Sequence, residues 1–374
     1  MPEKSSAAAS AERYREAGVA PVNAQPGFVS LIDQLRQTFG SGARHPLLDF
    51  GHFANVLDIG YQEAIAISTD GVGTKAIVAQ MLDKYDTVGI DCVAMNANDV
   101  ICVGAEPFAM VDYIAIETAE DRLLSEIGKG LVEGARQANI VVPGGEISQI
   151  PQIIRSERPG FGFDLVGTCV GTVDKDRLIT GAEIEPGDVI VGLASSGIHS
   201  NGFTLARKVF FDERRFRPEK HVPELNRSLG EELLEPTCIY VPEVMQMLQA
   251  NLPIKALVHI TSDGFLNLAR VSEGIGFVIE WLPEPPPIFP LIQATGGVSD
   301  AEMFLVYNMG VGFCVVTSAE SADQVVRLAE DSGRRAWRLG YCIVDPDKTV
   351  ELRPKRLIGR GGRFFSASGT GAAG

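Results

Sequence analysis

The stretch Ser68-Thr69-Asp70-Gly71-Val72-Gly73-Thr74-Lys75 directly follows a short apolar run, residues 64–67, of the kind that forms a β-strand. Its two glycines let the backbone approach a ligand closely, and a carboxylate and an ammonium group lie five residues apart. This combination suits a magnesium-bound phosphate, with Asp70 on the metal and backbone N–H groups and Lys75 on the anion. An Asp-Gly pair after a strand is also a common turn, and the Walker A pattern does not occur, so this stretch alone leaves both interpretations open.

The composition indicates a mixed α/β protein of two domains. The chain has 374 residues, of which 45% are hydrophobic and 40 are glycine. A net charge of −15 argues against nucleic acid and anionic membranes as partners. The six cysteines lack metal-site and CxxC spacing, which predicts reduced core residues without disulfides. No apolar run reaches the length of a membrane span and no signal peptide is apparent, so we expect a soluble, cytoplasmic protein.

Changes in composition along the chain suggest the domain limits. Residues 1–12, rich in Ala and Ser, are expected to be disordered. The first domain is predicted to span residues 13–174 and the second residues 175–358. The Gly-rich residues 359–374 are expected to form a flexible tail.

A predicted helix over residues 87–103 is mostly apolar but carries Asp91, Asn98 and Asp99. At about 100° per residue these three side chains fall within an arc of about 100°. A stripe of two Asp residues can simply be solvated. Buried carboxylates, however, need partners such as a metal, and two Asp with an Asn favour that interpretation.

Gly144-Gly145-Glu146 follows a short apolar run that predicts a buried strand over residues 140–142. We interpret the two glycines as a turn at the end of this strand. Glu146 is then a second carboxylate that a glycine-rich turn presents at a strand end.

Two further stretches lie at predicted strand ends in the second half. Ser195-Ser196-Gly197-Ile198-His199-Ser200-Asn201-Gly202 separates a strand from a helix and could cradle a phosphate, although an ordinary capped helix start fits equally well. His259-Ile260-Thr261-Ser262-Asp263-Gly264 follows another strand. A lone His is more often structural than catalytic, but its position predicts exposure.

The motifs taken together resemble the phosphoribosylformylglycinamidine cyclo-ligase family, also called aminoimidazole ribonucleotide synthetases. The resemblance covers nearly the whole chain, from about residue 14 to about residue 344. The motifs that carry it occur in the family's order, namely residues 70–75, residues 89–107, Gly144-Gly145-Glu146, residues 195–202, His259-Ile260-Thr261 and Asn308-Met309-Gly310.

The resemblance implies a two-domain α/β (α+β) fold. The first domain would bind ATP and dimerise, its sheet pairing with that of a second copy into a barrel, and the second would be an α/β substrate domain. The implied reaction is the ATP-dependent cyclisation of formylglycinamidine ribonucleotide to aminoimidazole ribonucleotide, with release of ADP and phosphate, in purine biosynthesis.

The resemblance also implies residue roles. Asp70, Asp99 and Glu146 would hold Mg²⁺ on the ATP phosphates. The remaining residues expected to bind ATP are Gly71, Gly73, Thr74, Lys75, Asp91, Asn98, Gly144 and Gly145. The residues expected to bind the substrate's ribose phosphate are Ser195, Ser196, Gly197, His199, Ser200 and Asn201. Lys75, His259 and Asp263 would act in catalysis, His259 by polarising the formyl group or moving a proton.

Two departures from the family pattern stand out. Residues 147–152 replace the Thr-Ala-Glu-Met-Pro-Gly that follows Gly-Gly-Glu in most relatives. Asp263 lies where relatives have glycine, and it could replace a polar group that the altered stretch, with Gln149, no longer supplies. Replacing Asp263 by glycine should then reduce turnover more than stability.

Two alternatives share the pattern. One is a small-molecule kinase or synthetase of the same superfamily, such as selenophosphate synthetase or thiamine-monophosphate kinase. No Cys precedes Cys92, as the former would need, and Glu146 stands where the kinases have Asp. The other is a non-catalytic nucleotide-binding paralogue, which has little reason to keep buried charges.

Overall fold

The computed structural model describes residues 12–18, 26–40, 44–156, 158–271 and 273–367. The α-helices of these residues are α1 (Glu12–Glu16), α2 (Pro26–Arg36), α3 (Lys75–Leu82), α4 (Val88–Ile101), α5 (Asp121–Ala138), α6 (Phe203–Arg207), α7 (Leu229–Leu233), α8 (Val241–Gln249), α9 (Ile288–Gly296), α10 (Asp300–Val306) and α11 (Ala322–Asp331). The strands are β1 (His45–Pro46), β2 (Asn55–Asp58), β3 (Glu63–Gly71), β4 (Glu106–Ile116), β5 (Val141–Gln149), β6 (Phe163–Asp174), β7 (Val189–Ala194), β8 (His221–Val222), β9 (Arg227–Ser228), β10 (Ile254–His259), β11 (Ile275–Ile279), β12 (Val311–Thr317), β13 (Ala336–Val344), β14 (Val350–Leu352), β15 (Leu357–Arg360) and β16 (Arg363–Ser366). The predicted mixed α/β class is confirmed.

The chain divides into two compact units. The first, called here the N-terminal unit, combines residues 20–179 with residues 217–250. The second, the C-terminal unit, combines residues 1–19, 180–216 and 251–374. Compared with the predicted limits at residues 13, 174 and 358, residues 217–250 join the first unit and the N-terminal segment joins the second.

The N-terminal unit is built on a six-stranded sheet in the order β1-β2-β3-β6-β4-β5. Helix α4 packs across β3, β6 and β4, and α5 packs beside α4 and against β5. Alternate residues of β4 such as Met110 and Ile114 are buried. Their neighbours Phe108, Val111 and Tyr113 point the other way and are exposed, so the sheet has one helix-covered face and one open face.

The C-terminal unit is built on an eight-stranded sheet in the order β10-β12-β7-β13-β11-β14-β15-β16. Strands β7 and β12 are buried at every position, as expected for strands in the centre of a sheet. Helix α11 packs on β7 and β13, and α10 packs on β16 at the other end.

The predicted flexible tail is wrong for residues 359–366. Residues 357–360 and 363–366 form β15 and β16, an antiparallel hairpin that extends the sheet beyond β14. Phe364 is almost completely buried, so apolar burial and ladder hydrogen bonds hold a glycine-rich segment whose composition suggested disorder. Residues 368–374, like residues 1–11 of the predicted disordered N-terminus, lie outside the described residues, and Glu12 begins α1.

The cysteine prediction is confirmed. All six cysteines are buried and none of them forms a disulfide. Burial raises the pKa of Cys169 to about 12, so this thiol stays protonated and unreactive at neutral pH. In the part of the chain that the structure describes, no helix is long and apolar enough to cross a membrane.

Candidate functional site

The stretch of residues 68–75, called here the Asp70 loop, begins inside a strand. Strand β3 continues through Asp70 to Gly71, and α3 begins at Lys75. Between them Gly73 has φ +61°, a backbone conformation that glycine adopts without strain. Gly73 and Thr74 are exposed and Asp70 is half-buried, so the backbone and these side chains are open to a ligand.

Asn96 of α4 fixes the backbone of Asp70. The Asp70 N–H donates to Asn96 Oδ1 at 2.8 Å, and Asn96 Nδ2 donates to the Asp70 carbonyl at 3.1 Å. Nδ2 also donates to the carbonyl of Cys92 in its own helix at 2.8 Å. Asn96 is fully buried, and the sequence interpretation missed it because its partner lies 26 residues away.

The structure gives Lys75 a different role from the predicted phosphate contact. Its side chain is 0% exposed, and Nζ lies 2.8 Å from Oδ1 of the equally buried Asp91. Nζ also donates to the Glu235 carbonyl at 2.7 Å. Burial lowers the pKa of Lys75, and the charge of Asp91 opposes that effect. Lys75 therefore anchors the start of α3 and does not reach the open loop.

Asp91 and Asn98, predicted to orient the nucleotide, hold residues 237–240 instead. Asp91 Oδ1 accepts from the Thr237 N–H at 2.8 Å and from its hydroxyl at 2.7 Å. Asn98 donates to the Cys238 carbonyl at 2.8 Å and accepts from the Tyr240 N–H at 2.9 Å. The three polar residues of the predicted arc therefore do not share one role, because Asp91 and Asn98 are buried contacts within the chain. Only Asp99 remains half-buried and accessible.

Asp112 is an acidic residue that the prediction did not place in the site. It pairs across the sheet with Gly167 on one side and Gly145 on the other, and Gly167 in turn pairs with Asp70. Directly paired residues share a face, so Asp70 and Asp112 both point to the α4 face with one glycine between them. Burial raises the pKa of Asp112 above its ordinary value.

Glu146 does not join Asp70 around one ion within this chain. The predicted glycine turn is wrong, because β5 runs through Gly144 and Gly145 to Gln149 as an exposed edge strand. Gly145 is required there, since a Cβ would lie 2.4 Å from Asp112 Oδ1. Glu146 pairs with Tyr113, on the face opposite to Asp112 and Asp70. Glu146 also lies on β5, three strand positions from β3 in the sheet, so roughly 14 Å separates its strand from that of Asp70.

The predicted metal set of Asp70, Asp99 and Glu146 is therefore not assembled in a single chain. Among the described residues no three His, Cys, Asp or Glu side chains converge as metal ligands. Asp70 and Asp99 supply the hard oxygen atoms that magnesium prefers.

In the C-terminal unit, Asn308 holds the loop of residues 195–197. Ser195 Oγ donates to Asn308 Oδ1 at 2.8 Å, and Asn308 Nδ2 donates to the Gly197 carbonyl at 2.9 Å. Next to it the buried Tyr307 donates its hydroxyl to the Gly202 carbonyl at 3.0 Å. Tyr307 and Asn308, which make these hydrogen bonds, are the two residues immediately after α10. Ser195 and Gly197, predicted to bind substrate, are buried parts of this clamp.

His199 is also part of the loop's own structure. It has φ +60° and is 1% exposed, and its Nε2 accepts from the Ser196 N–H at 3.3 Å. Ser196, Ser200 and Asn201 are half-buried. Of the six predicted substrate-binding residues, these three present side chains at the surface of the loop.

His259 is buried, contrary to the predicted exposure. It is 0% exposed and its ring lies 6.2 Å from that of Phe313. Asp263, four residues later, is half-buried, and burial raises its pKa while the charge of Arg270 opposes this effect. Asp263 is therefore the accessible charged group of this stretch, next to the exposed Ser262.

Comparison with known proteins agrees with this fold and these motifs. The profile of the AIR synthase related protein N-terminal domain matches residues 51–173, and that of the C-terminal domain matches residues 185–353. A phosphoribosylformylglycinamidine cyclo-ligase of Methanothermobacter thermautotrophicus is 47% identical over 302 residues, 81% of this chain and 86% of that protein. One of Methanocaldococcus jannaschii is 42% identical over 348 residues, 93% of this chain and 95% of that protein.

Among solved structures, PurL of Thermotoga maritima complexed with ADP shares the fold. The TM-score is 0.53 at 16% identity, over 82% of this chain. This chain spans less than half of that longer one, 45%. The two profile matches and the extended identity to the cyclo-ligases show that the chain belongs to the AIR synthase related family.

Proposed function

We propose that the protein is a phosphoribosylformylglycinamidine cyclo-ligase. It would convert formylglycinamidine ribonucleotide and ATP into aminoimidazole ribonucleotide, ADP and phosphate in purine biosynthesis. The observation that carries the proposal is the Asp70 loop. It is exposed at Gly73 and Thr74, and its backbone at Asp70 is held by a hydrogen bond to the buried Asn96. Proteins 42% and 47% identical over most of the chain bear this enzyme's name.

The reaction needs two displacements and no nucleophile from the protein. The formamide oxygen of the substrate attacks the γ-phosphorus of ATP, and the bond to ADP breaks. The neighbouring nitrogen then attacks the formyl carbon, this nitrogen and the formamide nitrogen each lose one proton, and the C–O bond breaks to release phosphate as the ring closes. The protein's contribution is to orient the reactants and to offset the developing negative charge.

The open residues divide these tasks. The Gly73 N–H and the Thr74 hydroxyl would bind the ATP phosphates, whereas the Gly71 N–H donates to Asp70 Oδ1 at 2.7 Å. In the C-terminal unit, Ser196, Ser200 and Asn201 would bind the ribose phosphate. Lys75 and His259 are too buried for the direct contacts predicted from the sequence.

Magnesium is part of this proposal only through Asp70 and Asp99. When bound, the ion would neutralise phosphate charge. Because Glu146 points to the opposite face of the sheet, it does not complete a three-carboxylate site in this chain. We also propose a cytoplasmic location.

Dimerisation through the open face of the N-terminal sheet is the second part of the proposal. Phe108, Val111 and Tyr113 of β4 are each at least 40% exposed on this face. Contiguous exposed apolar side chains are typical of an interface, and the implied partner is a second copy of the chain. The variant Val111→Asp should shift the protein from dimer to monomer in light scattering. The variant Val132→Asp, at an exposed site on α5, is the control. A monomeric wild type would contradict the dimer.

The function is tested by mixing the purified protein with ATP, magnesium and formylglycinamidine ribonucleotide. We expect aminoimidazole ribonucleotide, ADP and phosphate in equal amounts, and no ADP without the substrate. The variant Asp70→Asn should lose most of the activity, and Asp33→Asn, at an exposed site, should lose none.

Other outcomes would identify the alternatives. Transfer of the phosphoryl group to an acceptor that keeps it would indicate a kinase. ATP binding without turnover would indicate a non-catalytic nucleotide-binding protein.

A further inference from the structure

The C-terminal hairpin of β15 and β16 lies in a basic segment of an otherwise acidic chain. Residues 350–367 contain five Lys and Arg side chains and one Glu, whereas the whole chain has a net charge of −15. The hairpin also follows residue 353, where the match to the family profile ends. The features that define the family therefore do not account for this charge.

One face of the hairpin combines two arginines with two apolar side chains. A two-glycine turn at residues 361–362, with φ of +56° and +76°, places Arg360 directly opposite Arg363. Beside them Ile358 pairs with Phe365, and these two side chains are 38% and 41% exposed. Because alternate residues of a strand share a face, the four exposed side chains form one surface, called here the outer face of the hairpin.

The two arginines of the outer face differ in their partners. Arg360 lies 2.8 Å from Asp347. On the same side of the sheet, Glu351 of β14 is paired with Arg353 at 3.4 Å. Arg363 takes part in no ion pair within the described part of the chain. Like charges directly opposite each other in a sheet are destabilising, so an anionic group beside Arg363 would offset a cost that the hairpin carries.

Strand β16 also leaves one edge of the sheet open. It is the last strand in the sheet order of the described residues. The Ala367 N–H donates to the Arg356 carbonyl at 2.7 Å, on the side of β15. Since the bonding direction alternates along an antiparallel strand, Phe364 and Ser366 direct their N–H and C=O groups away from β15. Ser366 and Ala367 are exposed, so no element of the described chain covers the edge at this point.

We propose that the open edge of β16 binds an extended acidic segment of a partner protein, which adds to the sheet as a further strand. The backbone of this segment pairs with Phe364 and Ser366. One of its acidic side chains lies beside Arg363, and an apolar side chain two residues away lies beside Phe365. The partner is therefore recognised by alternating acidic and apolar side chains. This inference does not depend on the proposed function, because it uses none of the residues proposed to bind ATP or substrate.

Three other occupants fit this surface less well. A second copy of β16 would bring a further arginine to the edge, and like charges on neighbouring strands repel. Nucleic acid would leave the backbone groups of the edge unused, and the net charge of −15 repels it. Residues 368–374 of the chain itself contain no acidic side chain. Only an acidic peptide complements both the arginine and the backbone groups.

The first test is fluorescence anisotropy of the full chain with a labelled peptide of about ten residues in which glutamate and valine alternate. We expect saturable binding that Arg363→Glu weakens about tenfold, because this variant reverses the charge beside the peptide. The control is Arg327→Glu, at an exposed site on α11, which changes the net charge by the same amount and should leave binding unchanged. No saturable binding, or equal weakening by the two variants, would overturn the proposal.

The second test separates strand addition from simple attraction of charges. In Ser366→Pro, β16 loses an N–H that faces the open edge and no hydrogen bond to β15, so the fold is retained. Thermal unfolding checks this point. We expect the variant to lose most of the peptide binding. The wild type should not bind a peptide of the same charge in which proline replaces valine, since this peptide lacks half of the N–H groups. If Ser366→Pro and the proline peptide both bind normally, the contact is electrostatic alone and the proposal fails.

Three further results would assign the edge to another occupant and overturn the proposal. The first is tighter binding of a labelled single-stranded oligonucleotide than of the acidic peptide. The second is an oligomer, seen by light scattering, that Ser366→Pro dissociates and Val111→Asp does not. The third is tighter peptide binding by a protein that ends at residue 367, which would show that residues 368–374 occupy the edge.

Discussion

Helix α4 of the N-terminal unit and helix α10 of the C-terminal unit both hold distant loops with buried polar side chains, but they handle charge differently. On α4 the buried Asp91 has a buried cation, Lys75, at 2.8 Å. On α10 the buried Glu302 accepts from backbone amides, and its nearest opposite charge, Arg13, is partly exposed. One carboxylate is therefore tied into an ion pair, and the other is held by neutral donors.

This difference shows what a polar residue in an apolar helix can mean. From burial, the sequence interpretation favoured a metal as the partner of such residues on α4, because buried polar groups need partners, and the family resemblance implied that they bind ATP. Asp91 finds its partners in Lys75 and Thr237, and Asn96 and Asn98 find theirs in the chain's own backbone. Asp99, beside them, is half-buried.

The largest expected effect is the loss of the α4 ion pair. The variant Lys75→Met leaves Asp91 buried without a cation, and the free energy of unfolding should fall by about 3–5 kcal/mol. Denaturant unfolding measures it. The control is Arg136→Ala, which removes an exposed pair with Glu133 and should cost less than about 1 kcal/mol. Equal losses in the two variants would mean that the Lys75–Asp91 pair does not stabilise the unit.

An intermediate effect is expected from replacing Asn96 or Asn308, the two buried asparagines that hold loops through hydrogen bonds. Asn96→Ala and Asn308→Ala each leave buried backbone or hydroxyl groups unsatisfied, so each should lower the free energy of unfolding by about 2 kcal/mol. Their effects on kinetics should separate, because Asn96 fixes the Asp70 loop and Asn308 fixes the loop of Ser195. Asn96→Ala should raise KM for ATP, and Asn308→Ala should raise KM for formylglycinamidine ribonucleotide. If both variants raised the same KM, the assignment of the two loops would be wrong.

The smallest effect concerns Glu302. Burial raises its pKa above the ordinary 4.5, so the folded state favours the protonated form. The contribution of this group to stability is therefore full below about pH 4.5 and is lost as the pH rises through the higher folded-state pKa. Gln keeps the acceptor oxygen without titrating.

Thermal unfolding of Glu302→Gln and of the wild type, measured from about pH 4.5 to neutral pH, checks the sign of this pH-dependent contribution to stability. The two should unfold at similar temperatures at the acidic end, and the variant should be slightly more stable at neutral pH. A variant that is less stable at neutral pH would show that the ionised carboxylate is favoured in the fold, as Asp91 is beside Lys75.

The sequence predicted the elements that have strong local patterns. Helix α4 and the strand before Asp70 were recognised because their apolar spacing is regular. The partners of Lys75 and Asp91 were not, because Glu235 and Thr237 lie 160 and 146 residues away and no local pattern records such a contact.

The role of Glu146 failed for a different reason. Two glycines normally mark a turn, but here Gly145 lets β5 pass the Asp112 side chain and continue as a strand. Once the segment is a strand, the alternation of side chains decides the face that Glu146 occupies. Because residues 144–146 form a strand and not the predicted turn, the Glu146 carboxylate is not part of the predicted metal site.

The hairpin of β15 and β16 has a practical consequence for anyone who shortens this chain. The family profile ends at residue 353, so a truncation designed from similarity would remove both strands and leave β14 as the sheet's last member. Its backbone donors and acceptors, now paired with β15, would face water and could recruit a strand from another molecule. Such a shortened protein should precipitate or form chains, whereas a protein ending at residue 367 keeps β14 paired with β15.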